Sequence, residues 1–227
     1  MASPVILILG AGPNIGRHVG EAFAAKGYKV ALTARRLSEA DSTADQLNIS
    51  ADLSDPNNVI TAFAKVKSKF GTPSVVVYNA SAGTPNPPAD PVSIPLATFA
   101  RDLTINTTSA FVAAQQAVQG FSELPDSASR TFIYTGNILN TEFVIPPLLD
   151  SGVGKSATAH IIHSAATAYK DRGFKFYYAD ERKADGSAVY SGIDGEAAAM
   201  HYLELAEGKT QGPWQQTFVK GLGYKKF

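Results

Sequence analysis

The chain reads as an α/β protein built on a doubly wound, mainly parallel sheet with helices on both faces. Three observations predict it. Short apolar runs recur without polar alternation, as strands buried on both faces require. Helix-compatible stretches separate them, which is how parallel strands are connected. The first run, Val5 to Leu9, passes straight into the glycine turn Gly10-Ala11-Gly12-Pro13-Asn14-Ile15-Gly16.

Val5 to Leu9 is the first strand, and the alanine-rich stretch His18 to Lys26 is the first helix. The turn between them sets the unpaired N–H groups and positive dipole end of that helix against an anion. The missing side chains at Gly10, Gly12 and Gly16 let a pyrophosphate approach the backbone. The third glycine comes one residue later than in plain G-x-G-x-x-G. Lys29 to Ala34 is the second strand, followed by Arg35-Arg36. An acid at this strand end would bind a ribose 2′-hydroxyl, whereas a basic residue accepts a 2′-phosphate. Ala34 and Arg35 stand there, so the residues favour NADP(H) over NAD(H). The competing reading is a solvated arginine pair that opens a helix.

Leu47 to Leu53 carries a third strand ending in Ala51-Asp52-Leu53, and Asp55 caps a helix from Pro56 to Lys69. Ser74 to Tyr78 is the fourth strand, with Asn79-Ala80-Ser81-Ala82-Gly83 as a loop at its carboxyl end, where open α/β sheets bind ligands. Five prolines make Thr84 to Pro95 a structureless connection. A helix then covers roughly Leu96 to Phe121. Arg130 to Thr135 is the fifth strand, closed by Gly136-Asn137, and Ile138 to Asp150 is irregular. Ser151 to Tyr169 forms a long helix, Phe174 to Tyr178 a sixth strand, and Pro213 to Val219 a last edge strand.

The 227 residues suffice for one α/β domain spanning 1–227, with no internal repeat. No apolar run approaches a bilayer span, so a soluble protein without membrane contact is expected. Met1 to Gly12 has no basic n-region and too short an apolar core for a leader. Lysine and arginine number 20 against 20 acids and are scattered, which argues against nucleic-acid binding. With no cysteine, disulfides, cysteine ligands and thiol catalysis are excluded, and the chain suits the cytoplasm.

Taken together, these stretches make the chain resemble the short-chain dehydrogenase/reductase family, with its Rossmann-type fold, over nearly its full length. Gly10 to Gly16 is similar to the family's TGxxxGxG turn, with Leu9 for the threonine and Asn14 for the middle glycine. Asp52-Leu53 resembles the pair that touches adenine, and Asn79 to Gly83 the NNAG stretch, with Tyr78 and Ser81 as departures. Asn106 falls where the family keeps its active-site asparagine. The resemblance and the residue readings together set a dinucleotide against Gly10, Gly12, Asn14, Ile15 and Gly16, then Arg35 and Arg36, Asp52 and Leu53, Asn79, Ala80 and Ser81, and Lys155.

In the family a tyrosine four residues before a lysine acts as proton donor, the lysine lowers the tyrosine pKa and holds the nicotinamide ribose, and a serine orients the substrate carbonyl. The lysine matches Lys155, but Ser151 stands at the tyrosine position and Asn137 at the serine position. Ser151 is a poor acid, because an aliphatic hydroxyl holds its proton far more tightly than a phenol. The Asn137 amide can donate to a carbonyl or imine as a hydroxyl does. Asn14 replaces glycine mildly, since asparagine tolerates positive φ. Ala179-Asp180 replaces the family's Pro-Gly loop.

The resulting expectation is an NADP(H) oxidoreductase acting on a small carbonyl, imine or activated alkene. Asn106 and Lys155 would hold cofactor and a water chain, Asn137 would polarise the acceptor, and Ser151 would fill the vacated tyrosine position. The alternative is a cofactor-binding module that has lost redox chemistry and serves as a sensor, a partner subunit or a non-redox enzyme. Tyr134, Tyr177 and Tyr178 are core aromatics or replacements for the phenol. His160 and His163 share a helix face without a third metal ligand. The family resemblance implies a homo-oligomer, a dimer or tetramer packed through Ser156 to Ala166, although a face buried within the subunit would look the same.

Overall fold

In the computed structural model, which describes residues 3–227, the strands are β1 (Val5–Leu9), β2 (Lys29–Ala34), β3 (Gln46–Ser50), β4 (Val75–Tyr78), β5 (Thr131–Thr135), β6 (Lys175–Arg182), β7 (Gln215–Val219) and β8 (Gly223–Tyr224). Met1 of the leader expectation lies outside the described residues. One sheet runs in the order β3-β2-β1-β4-β5-β6-β7-β8, parallel except for the last pair. The chain starts at the centre, winds outward to β3 and returns to place β4 beside β1. That reversal opens a crevice at the carboxyl ends of β1 and β4.

Helices α1 (Ile15–Ala25) and α6 (Gly195–Glu207) cover the sheet face that carries Ile6, Ile8, Val30 and Ile133. Helices α2 (Asn57–Phe70), α4 (Ser109–Phe121) and α5 (Leu149–Ala168) cover the face of Leu7, Leu9, Val76 and Phe132. Every residue of β1 is therefore buried, which is why the run Val5 to Leu9 shows no alternation. Each such side chain contributes about 1.5–3 kcal/mol relative to an exposed one.

Several boundaries differ from the sequence reading. β3 stops at Ser50, so Asp52 and Leu53 lie past its end. Asp55 does accept the Asn57 N–H, at 2.9 Å, although the hydrogen-bonded helix opens one residue after Pro56. β6 continues to Arg182 because β7 pairs alongside it from Tyr178 to Arg182, so Ala179 and Asp180 are strand residues rather than a loop. β7 is not the edge, since β8 folds back against it. Helix α6 has no counterpart in the sequence reading. Asp194 caps it by accepting the Ala197 N–H at 2.9 Å.

The expected helix from Leu96 to Phe121 is interrupted. A π turn at Thr104–Thr108 separates α3 (Leu96–Leu103) from α4. Such a turn leaves carbonyls without helical partners. The Tyr78 hydroxyl donates to Ile105 O at 2.5 Å, and Tyr134 and Thr158 donate to Asn106 O at 3.0 and 2.8 Å. These two tyrosines are completely buried and serve the fold. No helix of the described residues is long and apolar enough to cross a membrane.

Candidate active site

At the glycine turn, Gly10 has φ +96° and a Cβ there would lie 2.4 Å from Ala80 N. A Cβ at Gly16 would lie 2.6 Å from Ala11 Cα. Both glycines let the chain pack on itself. Gly12 differs, because a Cβ there would meet nothing within 4 Å. The space over Gly12 adjoins the start of α1, where the Arg17 N–H is taken by Gly12 O and the His18 N–H by Asn14 O. The Asn14, Ile15 and Gly16 N–H groups ahead of them have no partner among the described residues, and such a helix start fits a pyrophosphate.

Asn14 does not behave as the sequence reading expects. Its φ is −96°, so no left-handed conformation is needed there. Its Nδ2 donates to Ile193 O and its Oδ1 accepts the Gly195 N–H, both at 2.9 Å. The side chain clamps the start of α6 to the turn instead of facing a cofactor. Asn79 is likewise structural, its Nδ2 donating to Gly10 O at 2.7 Å, and the Ala80 N–H bonds Leu9 O at 2.9 Å. Arg35 and Arg36 are exposed just past β2. Asp52 is exposed, and the Ser54 N–H above all holds its carboxyl below the ordinary range, with the charge of Arg35 assisting. Leu53 is a core residue whose carbonyl accepts from Ser109 Oγ at 2.7 Å.

Asn106 is completely buried in the π turn. Its Oδ1 accepts from the Ala82 N–H and from Ser81 Oγ, at 3.0 and 3.2 Å, and its Nδ2 donates to Ala82 O at 2.7 Å. Tyr134 and Thr158 occupy its carbonyl as well, so backbone and side chain of Asn106 are both engaged within the protein. Lys155 Nζ donates to Thr135 O at 2.9 Å and sits 4.6 Å from the centroid of the Tyr134 ring. Burial pushes its ammonium down to about 8, against the nearby Asp180 carboxylate, which holds it up. Ser151 is buried on the same helix face, where a Cβ on Gly83 would lie 3.5 Å from its own.

The Lys155 shift has a measurable consequence. Below about pH 8 both folded and unfolded chains carry this proton, and above about pH 10.4 neither does. Between those values the unfolded chain binds more, so stability rises with pH across the window. Urea unfolding of the ligand-free protein at about pH 8 and about pH 9, below the range where the buried phenols ionise in the unfolded chain and reverse the trend, should show that rise, and Lys155→Met should reduce it to what Lys175 contributes. An identical slope in the variant would contradict the assignment.

Asn137 sits at the carboxyl end of β5. The Tyr178 hydroxyl donates to its carbonyl at 2.9 Å and accepts its N–H at 3.1 Å. Its Oδ1 accepts the Leu139 N–H at 3.0 Å, which fixes the amide orientation and leaves Nδ2 as a donor. Asn137 lines a cavity of about 210 Å³. Thr135, Asp180, Glu181 and Tyr202 supply its other polar walls, and Ile15, Leu139, Ile145, Leu148, Val189 and Ile193 apolar ones. Ile15 is shared with the glycine turn, so cavity and turn adjoin. Of the four expected catalytic residues only Asn137 lines this space, and Asn106, Ser151 and Lys155 do not. Asp180, Glu181 and Tyr202 were missed, although the replaced Pro-Gly loop marked the first of them.

Comparison with known proteins agrees with this architecture. The short chain dehydrogenase family profile matches residues 4–140. The chain is also 49% identical over 238 residues to the short chain dehydrogenase/reductase dmxR12 of Cryptosporiopsis sp., covering 100% of this chain and 96% of that protein. The chain belongs to the short-chain dehydrogenase/reductase family. A short-chain dehydrogenase/reductase from Serratia marcescens has the same fold, with a TM-score of 0.76 over 97% of both chains at 21% identity. BdcA, solved in complex with NADPH, gives 0.74 over 100% of this chain and 97% of its own at 16% identity. Within the short-chain dehydrogenase/reductase frame, the carboxyl end of β6 bears the Asp180 carboxyl, and Asn137 stands beside it.

His160 and His163, which the sequence left without a third metal ligand, do not line this cavity. His163 stacks on Trp214 with ring centroids 4.6 Å apart, and His160 is exposed. Tyr177 bonds Thr210 O at 3.3 Å and accepts the Gly212 N–H at 3.1 Å, away from Asn137.

Proposed function

We propose that residues 1–227 act as one NADP(H)-binding oxidoreductase domain that moves hydride to or from a small carbonyl, imine or activated alkene without a tyrosine acid. The observation that carries this reading is the Asn137 amide, whose acceptor end is occupied by the Leu139 N–H and whose Nδ2 has no partner among the described residues, on a residue that lines a cavity shared with Ile15 at the glycine turn. Bound NADPH supplies the hydride. The N–H groups at the start of α1 and the open space over Gly12 receive the pyrophosphate. Asn137 Nδ2 donates to the substrate heteroatom, where negative charge grows as hydride reaches carbon. The apolar walls exclude water and favour a small, weakly polar substrate.

Arg35 and Arg36 support NADP(H) over NAD(H) in this reading, since both are exposed just past β2, the strand end that would meet the adenosine ribose. Arg35→Ser should weaken NADPH binding about ten- to a hundredfold, the worth of one charge-assisted bond, and leave NADH within about twofold. Fluorescence titration with both nucleotides measures this, and equal losses for the two would contradict a 2′-phosphate role.

The compartment in this reading is the cytoplasm, whose reducing conditions suit a chain with no cysteine to pair. The protein is a homo-oligomer in the same reading. The α4–α5 face supports this, because Phe111 remains 48% exposed beside a groove shared with His160 and Ile161.

A second reading is favoured by the capped carbonyl of Asn106 and by the absence of Ser151 and Lys155 from the cavity wall: a cofactor-binding module without turnover. Mixing the protein with NADPH and a panel of aldehydes, ketones, imines and enones, followed by absorbance, separates the two. Loss of NADPH absorbance supports the oxidoreductase. Binding without turnover supports the module, and no affinity for NADPH or NADH would remove both.

A further inference from the structure

Asp180 is buried at the carboxyl end of β6, and the hydride transfer proposed above gives it no task. Arg182, two residues on and on the same strand face, donates to Asp180 Oδ2 from Nε at 2.7 Å and from Nη2 at 2.5 Å. The other oxygen, Oδ1, is buried and has no hydrogen-bond partner among the described residues. A carboxylate oxygen in that position is costly unless it carries a proton or gains a donor. Its location is specific. Thr135 pairs with Ala179 in register and the Gly136 N–H donates to Ala179 O at 2.7 Å, so Asp180 and Asn137 stand on neighbouring strand ends and line one cavity.

Resting on the oxidoreductase reading, we propose that Asp180 is the acid of this site, delivering a proton from Oδ1 to the substrate heteroatom that Asn137 Nδ2 also addresses. In the reducing direction hydride bonds to the substrate carbon, and the π electrons of C=O or C=N move onto the heteroatom. The new heteroatom–H bond forms as the Oδ1–H bond breaks. Arg182 and Lys155 hold the carboxylate that remains, and water returns the proton. Oxidation runs the same steps backward, with the carboxylate as base.

The groups around Asp180 suit this cycle. Arg182 and Glu181 flank it on β6, Lys155 faces it from α5, and the phenols of Tyr178, Tyr134 and Tyr202 come from β6, β5 and α6. Burial raises the Asp180 carboxyl above its ordinary range, against the pull of Arg182 and Lys155. The three phenols are raised by burial as well, which makes each of them a weaker acid than the carboxyl.

The test is Asp180→Asn, which keeps shape and polarity but cannot give up a proton in this way. With NADPH and the best aldehyde or ketone of the panel, kcat should fall about a hundredfold, the lower end for a general acid, with NADPH affinity within about threefold. An N-alkylated iminium, which needs no proton at nitrogen, should be reduced within about threefold of wild type. Infrared titration of the protein, wild type minus variant, should show one carboxyl band that persists above the ordinary aspartate range of about 4. Equal loss on carbonyl and iminium, or undiminished carbonyl turnover, overturns the assignment while leaving the oxidoreductase standing. So does titration of that band in the ordinary range. Wild-type protein that reduces nothing on the panel overturns both.

Discussion

Gly136→Ala is expected to lower the unfolding free energy by about 2–4 kcal/mol, the cost of forcing one methyl into a tightly packed site, and to abolish turnover. A Cβ at this position would lie 2.0 Å from Tyr178 Cε1 and 2.3 Å from its Cζ. The ring has nowhere to go. It is fully buried, stacks on Tyr134 at 5.5 Å between centroids, and is tied through its hydroxyl to both backbone groups of Asn137. Displacing it moves Asn137, so stability and activity fall together. Adding Tyr178→Leu makes room for the methyl and should recover part of the stability without recovering turnover, because the hold on Asn137 is gone. Urea unfolding and NADPH turnover measured on both variants decide this, and an unchanged urea midpoint in Gly136→Ala would contradict the packing account.

Asn137→Ala should lower kcat several hundredfold with a carbonyl substrate, as the loss of one oxyanion donor does, with NADPH affinity within about threefold. Alanine also loses the bond to the Leu139 N–H, so Asn137→Asp is the sharper variant. Its carboxylate still accepts that N–H but offers no donor to the cavity, and an equal loss is expected. Asn137→Ser restores a hydroxyl donor and should recover activity to within about tenfold of wild type. Wild-type kcat in Asn137→Asp would show that the amide donor plays no part in the transition state.

How much of this was legible beforehand follows from the kind of interaction involved. β1 and β2 were read with the same ends as observed, and β4 and β5 to within one residue, because burial on both faces leaves an uninterrupted apolar run and turn residues bound it. The long helix was read through Thr104–Thr108, because helical periodicity barely registers one extra residue per turn. The π turn is maintained by hydroxyls on β4, β5 and α5, distant in the chain. β6 was read four residues short, because Asp180 and Arg182 are charged and their burial depends on β7 and on one another.

The candidate site divides along the same line. Glycine positions, the arginine pair and the exchanged residues Asn137 and Ser151 were evident from residue type and spacing, which carry steric and acid-base character directly. Asn14, Asn79 and Asn106 had the right residue types, yet their polar atoms turned out to be occupied by Ile193, Gly195, Gly10, Ala82 and Ser81. Composition and local pattern thus accounted for the α/β sheet and for the glycine turn that follows its first strand. Three-dimensional packing settled which polar atoms have no partner among the described residues, Asn137 Nδ2 and Asp180 Oδ1 among them. A hydrogen bond is satisfied or left open by a partner in space, and residues of the α6 start and of the strand ends become such partners once the sheet has formed.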